Sequence, residues 1–479
     1  MVTKKASLMK QAYQNDRLDF LLQAAWVLTV LSTFVGDALL SVRVPAIGEL
    51  FPFRVFLPIT CALYLISVIK KQRHFWNDAA PVEKACMLFI AILLLHSVVS
   101  LPFSIDVSWS FRRTFNLCFD LSFFFLMLCL CRDQRVLWRT LKLCLGGFWA
   151  LSLLGVCESV WKPLFYTGTQ IQYVTLFGFK ICSPMVIYNN TNDYMSAITF
   201  LFACLLLGWS LKKNKEKRDW GHLLAACAVS LYLAKCASAR LLVLTFWLLL
   251  AAIVVYALLL CGKRAVPVLL IIVALLATTT VTHVDLPALL QLTDAPSGGG
   301  SQTGDAPSLK DQFFESDETT GELKFNNTAS AGVRARLILH SVRCFLDSKG
   351  MGVGVGDTEQ LARIEKVAKD GNTWSIHCFL ARLLGDYGIW AVLPLVYIVL
   401  DRIWYGILLL KQGWKKHIRT DVGYALLYLV MGVVYVIAST SSSDAQDLLA
   451  MWMFLAVFVL MSRQKKPDVS AASGDCENQ

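Results

Sequence analysis

The chain has 479 residues, of which 56% are hydrophobic and only 16% charged, and its mean hydropathy is +0.56. These values exclude an ordinary soluble domain and indicate an all-α polytopic membrane protein, because apolar runs of about 17–25 residues between short basic loops read as helical spans. The net charge of +11 does not point to nucleic acid, since the lysines and arginines are shared among many loops. Nor do the 15 cysteines form a disulfide framework: most, such as Cys118, Cys129, Cys131, Cys204 and Cys227, sit inside apolar runs as small hydrophobes.

In chain order, a polar leader precedes the first apolar run, which lacks a small-residue cleavage site, so no cleavable signal peptide is expected. About twelve spans follow, near 18–42, 53–69, 85–103, 114–131, 140–160, 194–211, 221–237, 240–261, 266–284, 377–400, 422–439 and 447–462. The pair over 221–261 can also be read as one broken unit. With the N-terminus inside, the expected cytoplasmic segments carry 27 Lys and Arg against 8 in the short loops opposite. That asymmetry places both termini in the cytoplasm and the long loop 285–375 outside. The chain thus divides into spans one to nine (1–284), an extracytoplasmic loop with helices (285–375), and spans ten to twelve with a short cytoplasmic tail (376–479).

Within the loop, residues 295–308 are linker-like. Ser330 is then placed to cap a helix running to about Asp347, which Gly350 ends. On that helix Val333, Leu337, Ile338, Cys344 and Phe345 form a wide apolar face, and Arg336, His340 and Arg343 a polar stripe opposite. Arg334 points into the apolar sector, where a guanidinium needs a partner.

Four groups at the expected outer face can carry chemistry. Asn190, Asn192 and Asp193 open span six; as an alternative they simply cap that helix. Lys235 and Arg240 flank the tight turn between spans seven and eight, where an arginine can also merely snorkel to headgroups. Arg334 and the GMGVGVGD turn (350–357) form the third group. No GK[ST] follows these glycines, so a turn returning the chain to the membrane fits better than a nucleotide site. His377, with Asp386 and Gly388 nine and eleven residues on, opens span ten; a lone interfacial histidine is often structural.

Together these groups resemble the O-antigen ligases and the related O-antigen, capsule and teichuronic-acid polymerases. Asn190-Thr191-Asn192-Asp193 is similar to the family's Asn-rich span start, and Ala237-Ser238-Ala239-Arg240 to its S-x-S-R. Ser330, Arg334 and Gly352-Val353-Gly354 match its S-x-x-x-R helix and GVG turn. His377, Asp386 and Gly388 match its H-N-x₇-E-x-G, with Cys378 in place of Asn and Asp386 in place of Glu. The resemblance covers about residues 183–395. It implies a GT-C-type enzyme of the bacterial plasma membrane, a ligase or polymerase that moves glycan from an undecaprenyl-diphosphate carrier to a hydroxyl of a glycan or lipid acceptor, and it suggests envelope polysaccharide assembly proteins as partners.

The chemistry is consistent with that implication. A diphosphate leaving group is already a stable anion, so the site needs cationic clamping and a base for the acceptor rather than a protonating acid. Arginine's planar fork suits the clamp and histidine's pKa of about 6.5 suits the base. Arg240 and Arg334 are therefore assigned to the diphosphate and His377 to the acceptor hydroxyl, with Lys235, Arg336, Asn190, Asn192, Asp193, His340 and Asp386 as substrate-binding residues. No His, Asp or Cys cluster stands at metal-ligand spacing, so a metal-independent, inverting transfer without cofactor is expected. The competing reading is a transporter or lipid-linked glycan flippase, for which Asp37, His96, Glu158 and Arg382 within or near spans would be the signal.

Overall fold

A computed structural model of the chain describes residues 2–36, 40–44, 48–71, 76–161, 164, 173–176, 179–188, 190–212, 216–237, 240–261, 314–316, 323–325, 330–367, 375–376, 378–442 and 447–464. The described chain is all-α, with helices α1 (Val2–Ser32), α2 (Pro52–Lys71), α3 (Pro81–Ser100), α4 (Val107–Leu130), α5 (Gln134–Val160), α6 (Thr191–Leu211), α7 (Lys217–Cys236) and α8 (Arg240–Cys261). After the long loop come α9 (Ser330–Asp347), α10 (Asp357–Ile364), α11 (Phe379–Lys415), α12 (Arg419–Ser441) and α13 (Leu449–Gln464). Three short antiparallel strand pairs lie outside the helices: Val42–Val44 with Gly48–Leu50, Tyr173–Leu176 with Phe179–Cys182, and Phe314–Ser316 with Leu323–Phe325.

Eight of the described helices are long and apolar enough to cross a membrane. Eleven of the twelve expected spans coincide with a described helix; the ninth, 266–284, lies outside the described residues, as does the linker 295–308. The stretch 221–261 is two helices, α7 and α8, rather than one broken unit. Two boundaries differ from expectation. The first span was expected to reach residue 42, yet α1 stops at Ser32. There the Ser32 and Thr33 hydroxyls bond back to the carbonyls of Thr29 and Val30 at 2.7 Å, and Gly36 adopts φ +64, a left-handed turn that a helix cannot carry. In the other direction, α11 runs on to Lys415 where a loop was expected from residue 401.

At the centre stand α6 and α13, apolar all round and buried on nearly every face, as helices of that pattern must be. Phe200 of α6 and Phe454 of α13 meet with ring centroids 5.7 Å apart. Close approach is built in where α5 crosses α6: a Cβ on Gly155 would lie 2.0 Å from the Tyr194 hydroxyl, which donates to the Leu151 carbonyl at 3.0 Å. At one end of the bundle Glu83 takes both Arg132 (2.7 Å) and Arg463, tying the starts and ends of α3, α4 and α13. The opposite end gathers the loops and carries every described candidate residue.

Candidate functional site

The helix expected from Ser330 to Asp347 is present over those residues as α9. It closes one residue earlier than the glycine signal implies: the Lys349 amide donates to the Leu346 carbonyl at 2.9 Å and the Gly350 amide to the Phe345 carbonyl at 2.8 Å, so Lys349, at φ +54, is the left-handed cap and Gly350, at φ +85, follows it. The following glycines serve a second purpose. Val353 and Gly354 amides donate to the carbonyls of Gly385 and Asp386 at 2.9 and 3.0 Å, and the Ile389 amide to the Gly350 carbonyl at 3.0 Å. The GMGVGVG turn and the Asp386–Gly388 segment of α11 are thus paired backbone to backbone. A Cβ on Gly352 would lie 2.5 Å from the Asp386 carbonyl oxygen, and one on Gly388 2.3 Å from that of Gly350. Gly388 itself breaks α11 at φ 68, ψ −160. The spacing of the GVG and D-x-G motifs therefore has a physical reason: two glycine-bearing segments interlock and fasten the loop to the start of α11.

Charge completes this fastening. Asp386, fully buried, accepts the amides of Gly356 and Thr358 at 3.1 and 3.2 Å and faces Arg382 Nε at 3.5 Å. It caps the N-terminus of α10, where backbone amides favour a carboxylate. This corrects its placement among the substrate-facing residues: a buried carboxylate must be satisfied internally, and this one is. Glu359, also fully buried, faces Arg382 at 3.8 Å and Arg113 of α4 at 3.0 Å; Arg113 reaches Asp447 at 2.7 Å. Asp357 accepts from the Ile105 amide at 3.3 Å and the Ser110 hydroxyl at 3.5 Å, and burial pushes its carboxyl up to about 6. His96 contributes Nε2 to the Met351 carbonyl at 3.1 Å.

His340 also differs from expectation. Rather than lying on an open polar stripe, it is buried, with Nε2 against the Thr358 carbonyl at 3.2 Å and Nδ1 3.5 Å from Glu365. Burial lowers its pKa, with the Glu365 carboxylate acting against that. The reason is α10, which packs over the face of α9 that helical periodicity alone leaves open. Arg343 is exposed, as expected, and Arg336 is half-buried rather than solvated.

Arg334 holds a different position. It is partly buried, its Nε has no hydrogen-bond partner among the described residues, and desolvation lowers its pKa while the charge of Asp193 acts against that. The α6 start faces it. Asn190 caps α6, its Oδ1 accepting the Asp193 amide at 2.9 Å and its amide group donating to the Asp193 carboxylate. The Ser442 hydroxyl donates to Asp193 Oδ1 at 2.5 Å. Asn190 thus does act as a cap, and Asp193 is oriented by two polar neighbours. Asn192 is half-buried beside them. Lys235 is buried in the last turn of α7, one residue before Cys236, whose carbonyl accepts from Ser183 at 2.8 Å. Arg240 is the first residue of α8; its side chain, and His377 altogether, lie outside the described residues.

Arg113, Glu359, Arg382, Ser442 and Asp447 were not among the candidates. Arg382 and Glu158 had been noted as signals for a transport path. Arg382 is instead part of the fastening described above, and Glu158 accepts the amides of Leu164, Met185 and Val186 at 2.8–2.9 Å, anchoring the segment that leads into α6. Among the described residues no group of three or more His, Cys, Asp or Glu could hold a metal ion.

No family model matches the chain. It is similar to the teichuronic acid biosynthesis protein TuaE of Bacillus subtilis (strain 168), with 21% identity over 448 residues, 92% of this chain and 84% of that protein. The likeness runs almost end to end and includes the whole of 183–395, so it agrees with the ordered motifs: the chain resembles the family of O-antigen ligases and O-antigen and teichuronic-acid polymerases.

Proposed function

We propose that the protein is a membrane glycosyltransferase that transfers or polymerises glycan from an undecaprenyl-diphosphate-linked donor onto an acceptor hydroxyl at the outer face of the bacterial plasma membrane. The observation that carries this reading is Arg334, a partly buried guanidinium whose Nε has no hydrogen bond among the described residues, facing the capped start of α6 at the end of the bundle where Lys235 and Arg240 also lie. A buried unpaired donor costs about 1–3 kcal/mol or more, and a diphosphate would satisfy it with paired hydrogen bonds. In this reading Arg240 and Arg334 hold the leaving diphosphate and His377 takes the proton of the acceptor hydroxyl. The displacement at the anomeric carbon inverts configuration and uses no metal. The likeness to a teichuronic acid biosynthesis protein supports the substrate class. Glu158 and Arg382, the charges that would suit a flippase, are engaged within the loop-bearing end, which weakens that alternative.

Two expectations test the assignment. His377→Ala leaves folding and donor binding nearly intact while lowering turnover about 10²–10⁴-fold, the scale of general-base catalysis. Turnover like wild type, measured beside expression and detergent stability, removes His377 from the mechanism. For orientation, cysteines introduced at Ser301 and Lys213 in a background cleared of reactive thiols label oppositely, with Ser301→Cys open to an impermeant reagent in intact cells. The reverse pattern ends the extracytoplasmic placement. Deletion of the gene separates the two branches of the reading: carrier-linked long chains accumulate if the protein is a ligase, single repeat units if it is a polymerase.

A further inference from the structure

The Arg334 helix does not touch the chemistry alone, and what holds it is distinctive. At eight residues, α10 is about 12 Å long and far too short to persist by itself. It is carried by its contacts. Toward α9, the His340 ring meets the Thr358 carbonyl and Leu337 shares an apolar cluster with Ala362, so the two helices form one unit. Toward the bundle, Glu359 is fully buried between Arg382 and Arg113, its Oε1 having no hydrogen bond among the described residues. Arg113 is the junction. It lies over the Trp109 ring at 4.8 Å, pairs with Glu359, and pairs with Asp447, two residues before α13. Ser442, the residue after α12, holds Asp193. One arginine therefore links the segment that positions Arg334 to the segment that orients Asp193.

We propose that Arg113 and Glu359 are positioning residues for the transfer: their ion pair keeps α10, and with it the Arg334 helix, seated against the start of α4. This rests on the reading that Arg334 grips the donor diphosphate. Arg334 lies six residues from His340, about 9 Å along the helix, so any shift of α10 is passed to it. A misplacement of about 1 Å costs on the order of 10²-fold in rate. Removing one member of a buried pair also leaves the other charge uncompensated, which favours release of α10 rather than a small local adjustment.

The test is Glu359→Gln in the full-length protein, read two ways. Hydrogen–deuterium exchange across 350–364 rises, and kcat/KM for transfer from a polyprenyl-diphosphate-linked glycan falls about 10²-fold. Ser110→Cys with Asp357→Cys, whose native side chains meet at 3.5 Å, is then added to the Glu359→Gln protein. Oxidation to the disulfide restores most of the transfer, and reduction removes it again. A catalytic role for Glu359 would not be rescued by such a staple. Should Glu359→Gln fail to fold, Asp447→Asn, which weakens the pair between Arg113 and the start of α13, shows the same two effects in weaker form. Unchanged exchange over 350–364 overturns the proposal, as does raised exchange with no rescue by the staple. Raised exchange in a protein whose wild type shows no transfer at all supports the seating role and sinks the glycosyltransferase reading instead.

Discussion

Arg334→Ala is expected to abolish glycan transfer or reduce it severely in a purified-protein assay, while Arg336→Ala retains a substantial share. The two residues are about 200° apart around α9. Arg334 is the one whose Nε is buried with no hydrogen bond among the described residues and whose charge is opposed by desolvation. Arg334→Lys rescues only in part, because an ammonium cannot reproduce the bidentate fork on phosphate oxygens. The loss belongs in chemistry rather than folding: Arg334 is partly buried with its Nε unbonded among the described residues, so its removal leaves detergent stability nearly unchanged. An active Arg334→Ala beside a dead Arg336→Ala would place the clamp on the other face of the helix.

The second large effect is structural. Gly388→Ala should destabilise the protein by about 3 kcal/mol or more, and release the loop from α11. Two causes act together. The backbone at φ 68, ψ −160 belongs to glycine, and the new Cβ would meet the Gly350 carbonyl oxygen at 2.3 Å. Backbone cannot yield as a flexible side chain does. Gly146→Ala is the matched control: nothing lies within 4 Å of its Cβ, and alanine in a helix is if anything favourable. Thermal unfolding in detergent checks the pair, and equal stability of the two variants would contradict the interlocked turns.

Much of this was legible in the chain. Apolar run length located the helices, eight of them long and apolar enough to cross a membrane, and α9 runs over the expected residues from Ser330 to Asp347. The described residues of the four motifs gather at one end of the bundle because each motif sits where a span begins or a turn must form. What periodicity could not supply was the partner of a face. His340 read as solvated because α10, eighteen residues on, was invisible as a cover. Arg113 carried no signal in the sequence because its partners stand 246 and 334 residues away. Asp386 read as a substrate ligand from its place in a motif, whereas the amides of Gly356 and Thr358 claim both its oxygens. In each case an unrecognised tertiary neighbour decided the role.

The most direct measurement uses the purified protein in liposomes with an undecaprenyl-diphosphate-linked repeat unit and a glycan or lipid acceptor. Free undecaprenyl diphosphate and new glycosidic bonds are followed together, in the presence of a metal chelator. The account predicts one carrier diphosphate released for each bond formed, with that activity lost in Arg334→Ala. Passage of the intact lipid-linked repeat across the bilayer, with no bond formed and no carrier released, would contradict it and make the protein a flippase.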